Sequence, residues 1–415
     1  MKFRYYIIGF LVLGLLYFVL GSMDCEPPSL ARFAVPDTAP VSDEDNVYFG
    51  IVAATNALHH SGIRSHHDLA GLSAEEEEAF LVTNAETVAA VLQASRRSVW
   101  RVPREGLVST PNVITAYTLA NICGMHGRRQ LARGDLGAAT ETVRALLALG
   151  RKISHDAESD LAWWTGKVFA EVGDKLAMKI AFSAKATPEE LRALMEVLRE
   201  TPAATWRKNL QRAVKTEMCV MYPRKMYDAF ASRNPFSGMM GGASAGWDAL
   251  WSVAKPFAYH PNRTLKLLAR RLDKALVLMD RNFDEAAWDA AIDRDEDGWI
   301  ESIATSQAVP NFIGRQSAAG FGGILRRFAK EAASAEFHHS GAEAAVAVAL
   351  YGRANGGAVP KTLAELVPDY LPAVPKDPFC KDAEVGYDAA SMTISSAVGK
   401  RKMPLRPEMM KPIIQ

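Results

Sequence analysis

The amino terminus carries the feature that most constrains this chain. Lys2 and Arg4 precede an uncharged, strongly apolar run over residues 5–23. A helix needs about 20 apolar residues to cross the hydrocarbon core of a bilayer. Lys and Arg beside such a helix favour the cytoplasmic side of the membrane. The sequence therefore predicts that residues 1–23 form a single transmembrane helix of the inner membrane, with a cytoplasmic amino terminus and the remaining chain outside the cytoplasm.

The fate of this segment has alternative interpretations. An uncleaved signal-anchor is favoured, because the apolar run exceeds the 7–15 residues usual for the core of a signal peptide. Val19 and Gly21 also fit the −3 and −1 positions of a cleavage site, and cleavage would give a secreted protein. Asp24 directly before Cys25 argues against the third interpretation, a lipoprotein signal.

Composition excludes some classes of partner and scaffold. The formal net charge is +1 and charged residues make up 23% of the chain, so no basic field predicts binding to nucleic acid. A hydrophobic fraction of 49% is ordinary for a globular chain with a substantial core. The cysteines contain no CxxC pair, which favours isolated thiols over a disulfide framework. They are Cys25, Cys123, Cys219 and Cys380.

The pattern after the apolar run predicts a spacer and then a helical domain. Residues 24–45 are Pro-rich and polar, which is typical of an extended spacer, and residues 46–304 read as helical. Thr187 and Glu190 form a capping-box pattern with Pro188 at the first helical position. Apolar residues then recur at the spacing of amphipathic helices. The two clearest sets are Leu191, Leu194, Met195 and Leu198, and Leu265, Leu268, Leu272, Leu276 and Met279.

Two glycine-rich stretches are predicted to interrupt the helices. Residues 231–246 read as a loop or hinge, and residues 305–335 as a loop followed by a connecting helix. The glycines of the second stretch are Gly314, Gly320, Gly322 and Gly323.

Residues 120–150 resemble one degenerate tetratricopeptide repeat. Gly127 would allow close helix contact, Gly134 and Asp135 a tight turn between helices, and Ala139 a close approach. A solenoid needs several stacked repeats. Both an irregular helical bundle, which is favoured, and a repeat array are consistent with this pattern.

Residues 336–398 are predicted to form a small C-terminal α+β module, followed by a basic, Pro-containing tail over residues 399–415. Val385–Tyr387 and Met392–Ile394 are short alternating segments suited to a hairpin. Prolines fix φ and end each preceding element. The motifs that mark these turns are Leu366-Val367-Pro368, Tyr370-Leu371, Val374-Pro375 and Asp377-Pro378-Phe379.

Through these motifs, residues 341–398 resemble the C-terminal region of type II secretion pseudopilins. The layout is also similar to large, uncharacterised bacterial membrane-anchored proteins, a likeness that extends to Pro310–Gly314. The first resemblance implies a helix, a proline corner and short strands, and an accessory role in a secretion system. The amino terminus departs from the pseudopilin pattern, because Gly14 stands where the glutamate of the mature helix belongs.

Ser244 lies in a G-x-S-x-G sequence, the pattern of a hydrolase nucleophile. That chemistry needs a buried strand before the serine and a helix after it. The preceding residues are rich in Gly and Met, which favours a loop of small residues instead. Partners for a triad follow in chain order. They are Asp280 or Asp293, and His338 or His339.

A calcium loop is a second candidate site. Asp293, Asp295, Asp297 and Glu301 follow the alternating oxygen ligands of an EF-hand, with a glycine at the turn. The twelfth position, where a bidentate glutamate belongs, is Ala304. The pattern predicts a solvated acidic turn, with weak calcium binding as the alternative.

The remaining histidine and tryptophan pairs favour structural interpretations. His59-His60 and His66-His67 lack the cysteine or spacing of a zinc site and are predicted to be solvated. The same applies to His338-His339, while Trp163-Trp164 is predicted to pack in the core or at an interface.

These observations predict a mainly α protein with an N-terminal transmembrane helix, an irregular or repeat-like helical body and a small C-terminal α+β module. The leading function is a non-enzymatic scaffold that binds an envelope protein. A serine hydrolase using Ser244 and an accessory component of a secretion system are the alternatives.

Overall fold

The computed structural model describes residues 2–35, 40–59, 68–103, 113–202, 205–231, 256, 259–292, 310–398 and 401–405. Within these residues the chain forms twelve α-helices and one small sheet, so the predicted mainly helical class is confirmed. The helices are α1 Lys2–Gly21, α2 Val47–Asn56, α3 Ala74–Thr83, α4 Ala85–Ala94, α5 Val113–Arg133, α6 Leu136–His155, α7 Asp160–Ala181, α8 Pro188–Arg199, α9 Thr205–Ala231, α10 Pro261–Met279, α11 Glu285–Ile292 and α12 Phe312–Ala354. The strands are β1 Gly386–Asp388, β2 Thr393–Ser395 and β3 Lys402–Pro404.

The chain divides into two compact units. The first unit comprises Met1–Pro36, Lys215–Asp280 and Asp284–Phe328. The second unit comprises Asp37–Val214, Arg281–Phe283 and Ala329–Gln415. Helices α9 and α12 contribute residues to both.

Local capping explains where several helices begin. The Thr187 hydroxyl accepts a hydrogen bond from the Glu190 amide, and the Glu190 carboxylate accepts one from the Thr187 amide. The predicted capping box is therefore confirmed, as is the buried apolar face of α8. Ser73 and Glu76 make the same reciprocal pair at the start of α3.

The core of the second unit is built on α5, α6 and α7. Gly134, at φ +83°, forms the tight turn between α5 and α6 that the sequence predicts. Helices α6 and α7 approach closely where Gly150 and Gly166 meet. A Cβ on Gly166 would lie only 2.7 Å from the Gly150 carbonyl oxygen, so no side chain would fit there. Trp163 is fully buried in this core and donates from Nε1 to the Trp206 carbonyl at 3.1 Å, which confirms its predicted packing.

The C-terminal module of the second unit packs a sheet onto α12. The order is β1-β2-β3, with Tyr387 opposite Ile394 and Ile394 opposite Met403 in antiparallel register. The predicted hairpin is thus confirmed, and β3 is an additional strand. Any side chain at Gly341 of α12 would collide with Met403, so this glycine allows the sheet to approach the helix.

In the first unit, the apolar face of α10 is buried as its spacing predicts. The predicted loop within residues 305–335 does not extend beyond Asn311, because α12 begins at Phe312 and continues through all four glycines. Each glycine costs a helix only about 1 kcal/mol relative to alanine, which packing can offset. Gly314 has a packing role, since a Cβ there would collide with the Thr264 and Asn311 side chains.

Candidate functional site

Helix α7 brings charged side chains into the interior of the second unit. It begins after Ser159, whose hydroxyl accepts a hydrogen bond from the Ala162 amide, and most of its residues are buried. Charged residues are almost never fully buried unless they are paired. The charged residues in the middle of α7 are Lys167, Glu171, Asp174 and Lys175, and their partners lie mainly on α12.

Lys167 is held between two carboxylates. Its Nζ lies 2.6 Å from Glu171 Oε1 and 3.0 Å from Glu331 Oε2, and only 4% of its side chain is exposed. The ammonium also lies 4.9 Å from the centre of the Trp164 ring. Burial opposes the positive charge, but the two carboxylates outweigh burial and raise the pKa of Lys167.

Glu171 is the acidic centre of the same group. Burial disfavours its charge, yet Lys167, His338 and Lys175 together lower the pKa of Glu171 to about 2. Burial lowers the pKa of Lys175 to about 8, although Glu171 favours its charged form. At neutral pH this region therefore contains a fixed carboxylate beside two ammonium groups.

His338 completes this group on the α12 side. Its Nδ1 lies 3.8 Å from Glu171 Oε1, and 28% of its side chain is exposed. Burial lowers the pKa of His338 in spite of the attraction of Glu171, so the imidazole is neutral at pH 7. We refer to Lys167, Glu171, Glu331 and His338 as the half-open cluster.

The next residue of α12 behaves in the opposite way. His339 Nδ1 lies 2.7 Å from Asp174 Oδ1, and His339 Nε2 lies 3.1 Å from the Leu198 carbonyl oxygen. Both partners are acceptors, so both ring nitrogens donate and the imidazole is protonated. The His339 and Asp174 side chains expose 0% and 4% of their surfaces, and we refer to them as the sealed pair. The prediction that His339 is solvated is therefore wrong, because α12 packs it against α7 and α8.

The charge of His339 is stabilised by its partners. Burial opposes it, but Asp174, Glu343 and the Leu198 carbonyl raise the pKa of His339 to about 9. Leu198 lies in the last turn of α8, where unpaired carbonyls and the helix dipole favour a cation. The sealed pair therefore joins α7, α8 and α12 by hydrogen bonds.

The two groups differ in whether their imidazole can exchange a proton with solvent. The sealed pair has both imidazole nitrogens committed to acceptors, so His339 has no lone pair with which to act as a base. In the half-open cluster, His338 is the neutral imidazole that solvent reaches.

A second arrangement lies in the first unit, directly after α1. The Asp24 carboxylate accepts hydrogen bonds from the Asn262 amide at 2.9 Å and the Arg263 amide at 3.0 Å, so it caps the start of α10. The Asn262 side chain also donates to the Cys25 carbonyl at 2.7 Å. A carboxylate at a helix start satisfies free amides and complements the helix dipole.

The chain then follows α10 for several residues. The Arg32 guanidinium binds Asp273 of α10 through two nitrogens, with a closest distance of 2.8 Å. Phe33 is buried beside it, and Cys219 lies 3.4 Å from the Leu30 carbonyl oxygen. We refer to residues 24–33 as the strap. All four cysteines of the chain lie in described residues, and none is paired with another in this structure.

The sequence-predicted site residues lie elsewhere. Ser244 and the calcium candidates Asp293, Asp295, Asp297 and Glu301 fall outside the described residues, so the hydrolase and calcium hypotheses stay predictions. The same holds for His60, His66 and His67. In the residues that are described, no group of three or more His, Cys, Asp or Glu side chains is arranged to hold a metal.

Sequence reasoning missed the charged residues of α7. A signal was present, because Lys167, Glu171 and Asp174 follow the i, i+4, i+7 spacing of one helix face within a helix that is apolar over most of its length. The spacing predicts that they lie together, but not that His339 lies against them.

Comparison with known proteins adds no relative. No family model matches the chain, and no curated protein and no solved structure matches it. Among the helices in the described part of the chain, none has both the length and the apolar content expected of a candidate membrane span.

Proposed function

We propose that the protein is a single-pass, membrane-anchored scaffold whose helical body lies outside the cytoplasmic membrane and binds another envelope protein. The observation that carries this proposal is the exposed surface of α1. Its apolar side chains face outward on every side over residues 11–20, and Leu13 alone exposes 67% of its surface. Apolar surface in water costs about 25 cal/mol per Å², and a bilayer removes that cost. The positive flank of Lys2 and Arg4 supports a cytoplasmic amino terminus.

The body supports a scaffolding role rather than catalysis. In the described residues its interior charges are matched in oppositely charged groups, as in the sealed pair and at Lys167. Such groups hold helices in one arrangement, because each buried charge requires its partner. The C-terminal module, through its resemblance to pseudopilins, favours a secretion-system component as the more specific form of this proposal.

The anchor is tested by membrane extraction. We expect the full-length chain, expressed in a bacterium, to stay in the membrane pellet at alkaline pH and to be digested by protease added outside the cytoplasmic membrane. Leu13→Arg with Leu16→Arg should release it, because each arginine at the centre of a span costs about 2.5–3.5 kcal/mol. The control, Val82→Arg on the exposed face of α3, should leave the chain in the pellet. Extraction of the unaltered chain by alkali would contradict the proposal.

The role of the body is tested separately. Crosslinking in intact cells, followed by identification of the co-purified proteins, should recover a specific envelope partner, and a secretion component would specify the second alternative. Labelling with a fluorophosphonate tests the hydrolase alternative. Specific labelling that disappears in Ser244→Ala would overturn the non-enzymatic proposal.

A further inference from the structure

Two tyrosines and a glutamate meet at the surface of the second unit, where α12 ends against the C-terminal module. Tyr351 lies in the last turn of α12, and its ring centroid lies 6.0 Å from that of Tyr370, with the ring planes at 76°. The Tyr351 hydroxyl lies 3.5 Å from Glu365 Oε2. Both tyrosines are half-exposed and Glu365 is exposed. We refer to Tyr351, Tyr370 and Glu365 as the tyrosine–glutamate group.

Contacts within the second unit hold this group in place. Glu365 lies in a short 3₁₀-helix, Leu363–Leu366, whose two leucines are buried. The Tyr370 amide donates to the Leu366 carbonyl at 2.8 Å, and the Arg199 guanidinium of α8 donates to the Tyr370 carbonyl at 3.0 Å. The two rings and the carboxylate are therefore presented by a fixed surface.

The Glu365 carboxylate has no basic side chain as a partner. The Lys361 amide donates to its Oε2 atom at 3.2 Å. In the part of the chain that the structure describes, no Lys, Arg or His side chain forms an ion pair with Glu365. Its charge reaches the neighbouring sheet, because burial, Asp388 and Glu365 together raise the pKa of Tyr387 in β1. The group therefore combines a negative charge that is not neutralised with two aromatic rings.

The same combination holds a cation at two other places in this chain. In the half-open cluster, the Lys167 ammonium lies between carboxylates and 4.9 Å from the centre of the Trp164 ring. In the strap, the Arg32 guanidinium binds Asp273 and lies 4.4 Å from the centre of the Phe33 ring. An aromatic face attracts a cation electrostatically, and a carboxylate beside it adds the opposite charge.

We propose that the tyrosine–glutamate group binds an organic cation, an ammonium or guanidinium group carried by a ligand. Centroids 6.0 Å apart allow one cation to lie within about 6 Å of both rings, which is the range of cation–π attraction. Glu365 supplies the countercharge that distinguishes a cation from an uncharged group of the same shape. This chemistry has two sources, a free quaternary ammonium compound and a Lys or Arg side chain of another protein. The inference goes beyond the proposed scaffold role and does not depend on the anchor.

The test measures binding to the full-length chain in a non-ionic detergent by titration calorimetry. Choline is compared with its uncharged carbon analogue, in which a tert-butyl group replaces the trimethylammonium group. Acetyl-arginine amide is compared with acetyl-citrulline amide in the same way. We expect cations to bind several-fold more tightly than their uncharged counterparts. Preferential binding of choline alone would identify a free ammonium compound as the source, and of the arginine probe alone a protein side chain.

Variants separate the rings from the charge. Tyr351→Leu and Tyr370→Leu should each weaken binding about two- to fivefold, whereas Tyr351→Phe, which keeps the ring, should retain it. Glu365→Gln should weaken binding of the cations and leave the uncharged probes unchanged. The control is Asp382→Asn, which removes another exposed carboxylate of the same module and should have no effect.

Three outcomes would overturn the inference. They are the absence of binding by either cation, equal binding of charged and uncharged probes, and unchanged cation binding in the leucine and glutamine variants. Circular dichroism of each variant checks that the helices are retained. None of these outcomes bears on the anchor, which membrane extraction tests.

Discussion

The sealed pair and the half-open cluster lie between the same two helices, yet their histidines behave oppositely. The pKa of His338 is lowered by burial, whereas the pKa of its neighbour His339 is raised to about 9. His338 has Glu171 at 3.8 Å, while His339 has a carboxylate at 2.7 Å and a helix-end carbonyl at 3.1 Å. Burial alone therefore does not decide the charge of a histidine. The acceptors and the neighbouring charges decide it, because Lys175 and Lys167 lower the pKa of His338 whereas Asp174 and Glu343 raise that of His339.

The comparison also indicates which group the fold depends on. Removing two charges from water is costly, and a buried pair compensates for that cost only when its hydrogen bonds are complete. The sealed pair meets this condition through three helices. In the half-open cluster, Glu331 exposes 26% of its side chain, so solvent shares in stabilising its charge.

The largest effect is expected from breaking the sealed pair. Asp174→Ala leaves the His339 imidazole buried without its carboxylate, which we expect to lower the free energy of unfolding by about 3–5 kcal/mol. Urea unfolding of the full-length chain in detergent, followed by tryptophan fluorescence, measures this. Glu331→Gln is the matched control in the half-open cluster and should cost clearly less. An equal loss in both variants would show that the distinction between the two groups is wrong.

The second effect is a loss of stability as the pH rises. His339 has a usual pKa of 6.5 and a folded pKa of about 9. Its contribution is therefore complete below pH 6.5 and is lost as the pH rises towards 9, by about 3 kcal/mol in total. Lys175 acts in the opposite direction above about pH 8, because its folded pKa lies below the usual 10.5.

The measurement is therefore a comparison of slopes between pH 6.5 and 8. Unfolding free energies should fall with pH more steeply in the unaltered chain and in His338→Gln than in His339→Gln. The lowered pKa values of His126, His260 and His338 act in the opposite direction near pH 6.5. On the acid side, Glu171 predicts a separate loss as the pH falls from 4.5 towards 2. An equal slope from pH 6.5 to 8 in the unaltered chain and in His339→Gln would contradict a protonated His339.

The smallest effect is expected in the half-open cluster. His338 is neutral, partly exposed and 3.8 Å from its nearest carboxylate, so His338→Gln should change the unfolding free energy by less than about 1 kcal/mol. The same urea measurement checks this. A loss comparable to that of Asp174→Ala would mean that His338 holds the helices as His339 does.

Much of the fold could be predicted from local patterns. The capping box at Thr187, the turn at Gly134 and the hairpin over residues 385–394 each depend on residues a few positions apart. The predicted loop does not include Gly314, because Thr264 and Asn311 leave no room for a side chain there and the helix continues through a glycine. Tertiary packing outweighed local propensity at that position.

The charged interior could not be predicted in the same way. Asp174 and His339 are separated by 165 positions, and nothing in either local sequence indicates the other. The position of the strap could not be predicted either, because Asp24 and Asn262 are hydrogen-bonded although they are 238 positions apart in the sequence. Their partners depend on how the helices pack, which no spacing rule describes.

The sequence by itself determined the apolar run over residues 5–23, the helical class and the start of several helices. These features depend on hydrophobic spacing and on hydrogen bonds between residues within one turn of each other. The tertiary structure decided which of two adjacent histidines is charged and where the strap lies. Both outcomes depend on desolvation and on acceptors from distant parts of the chain, and only the packed helices bring these together.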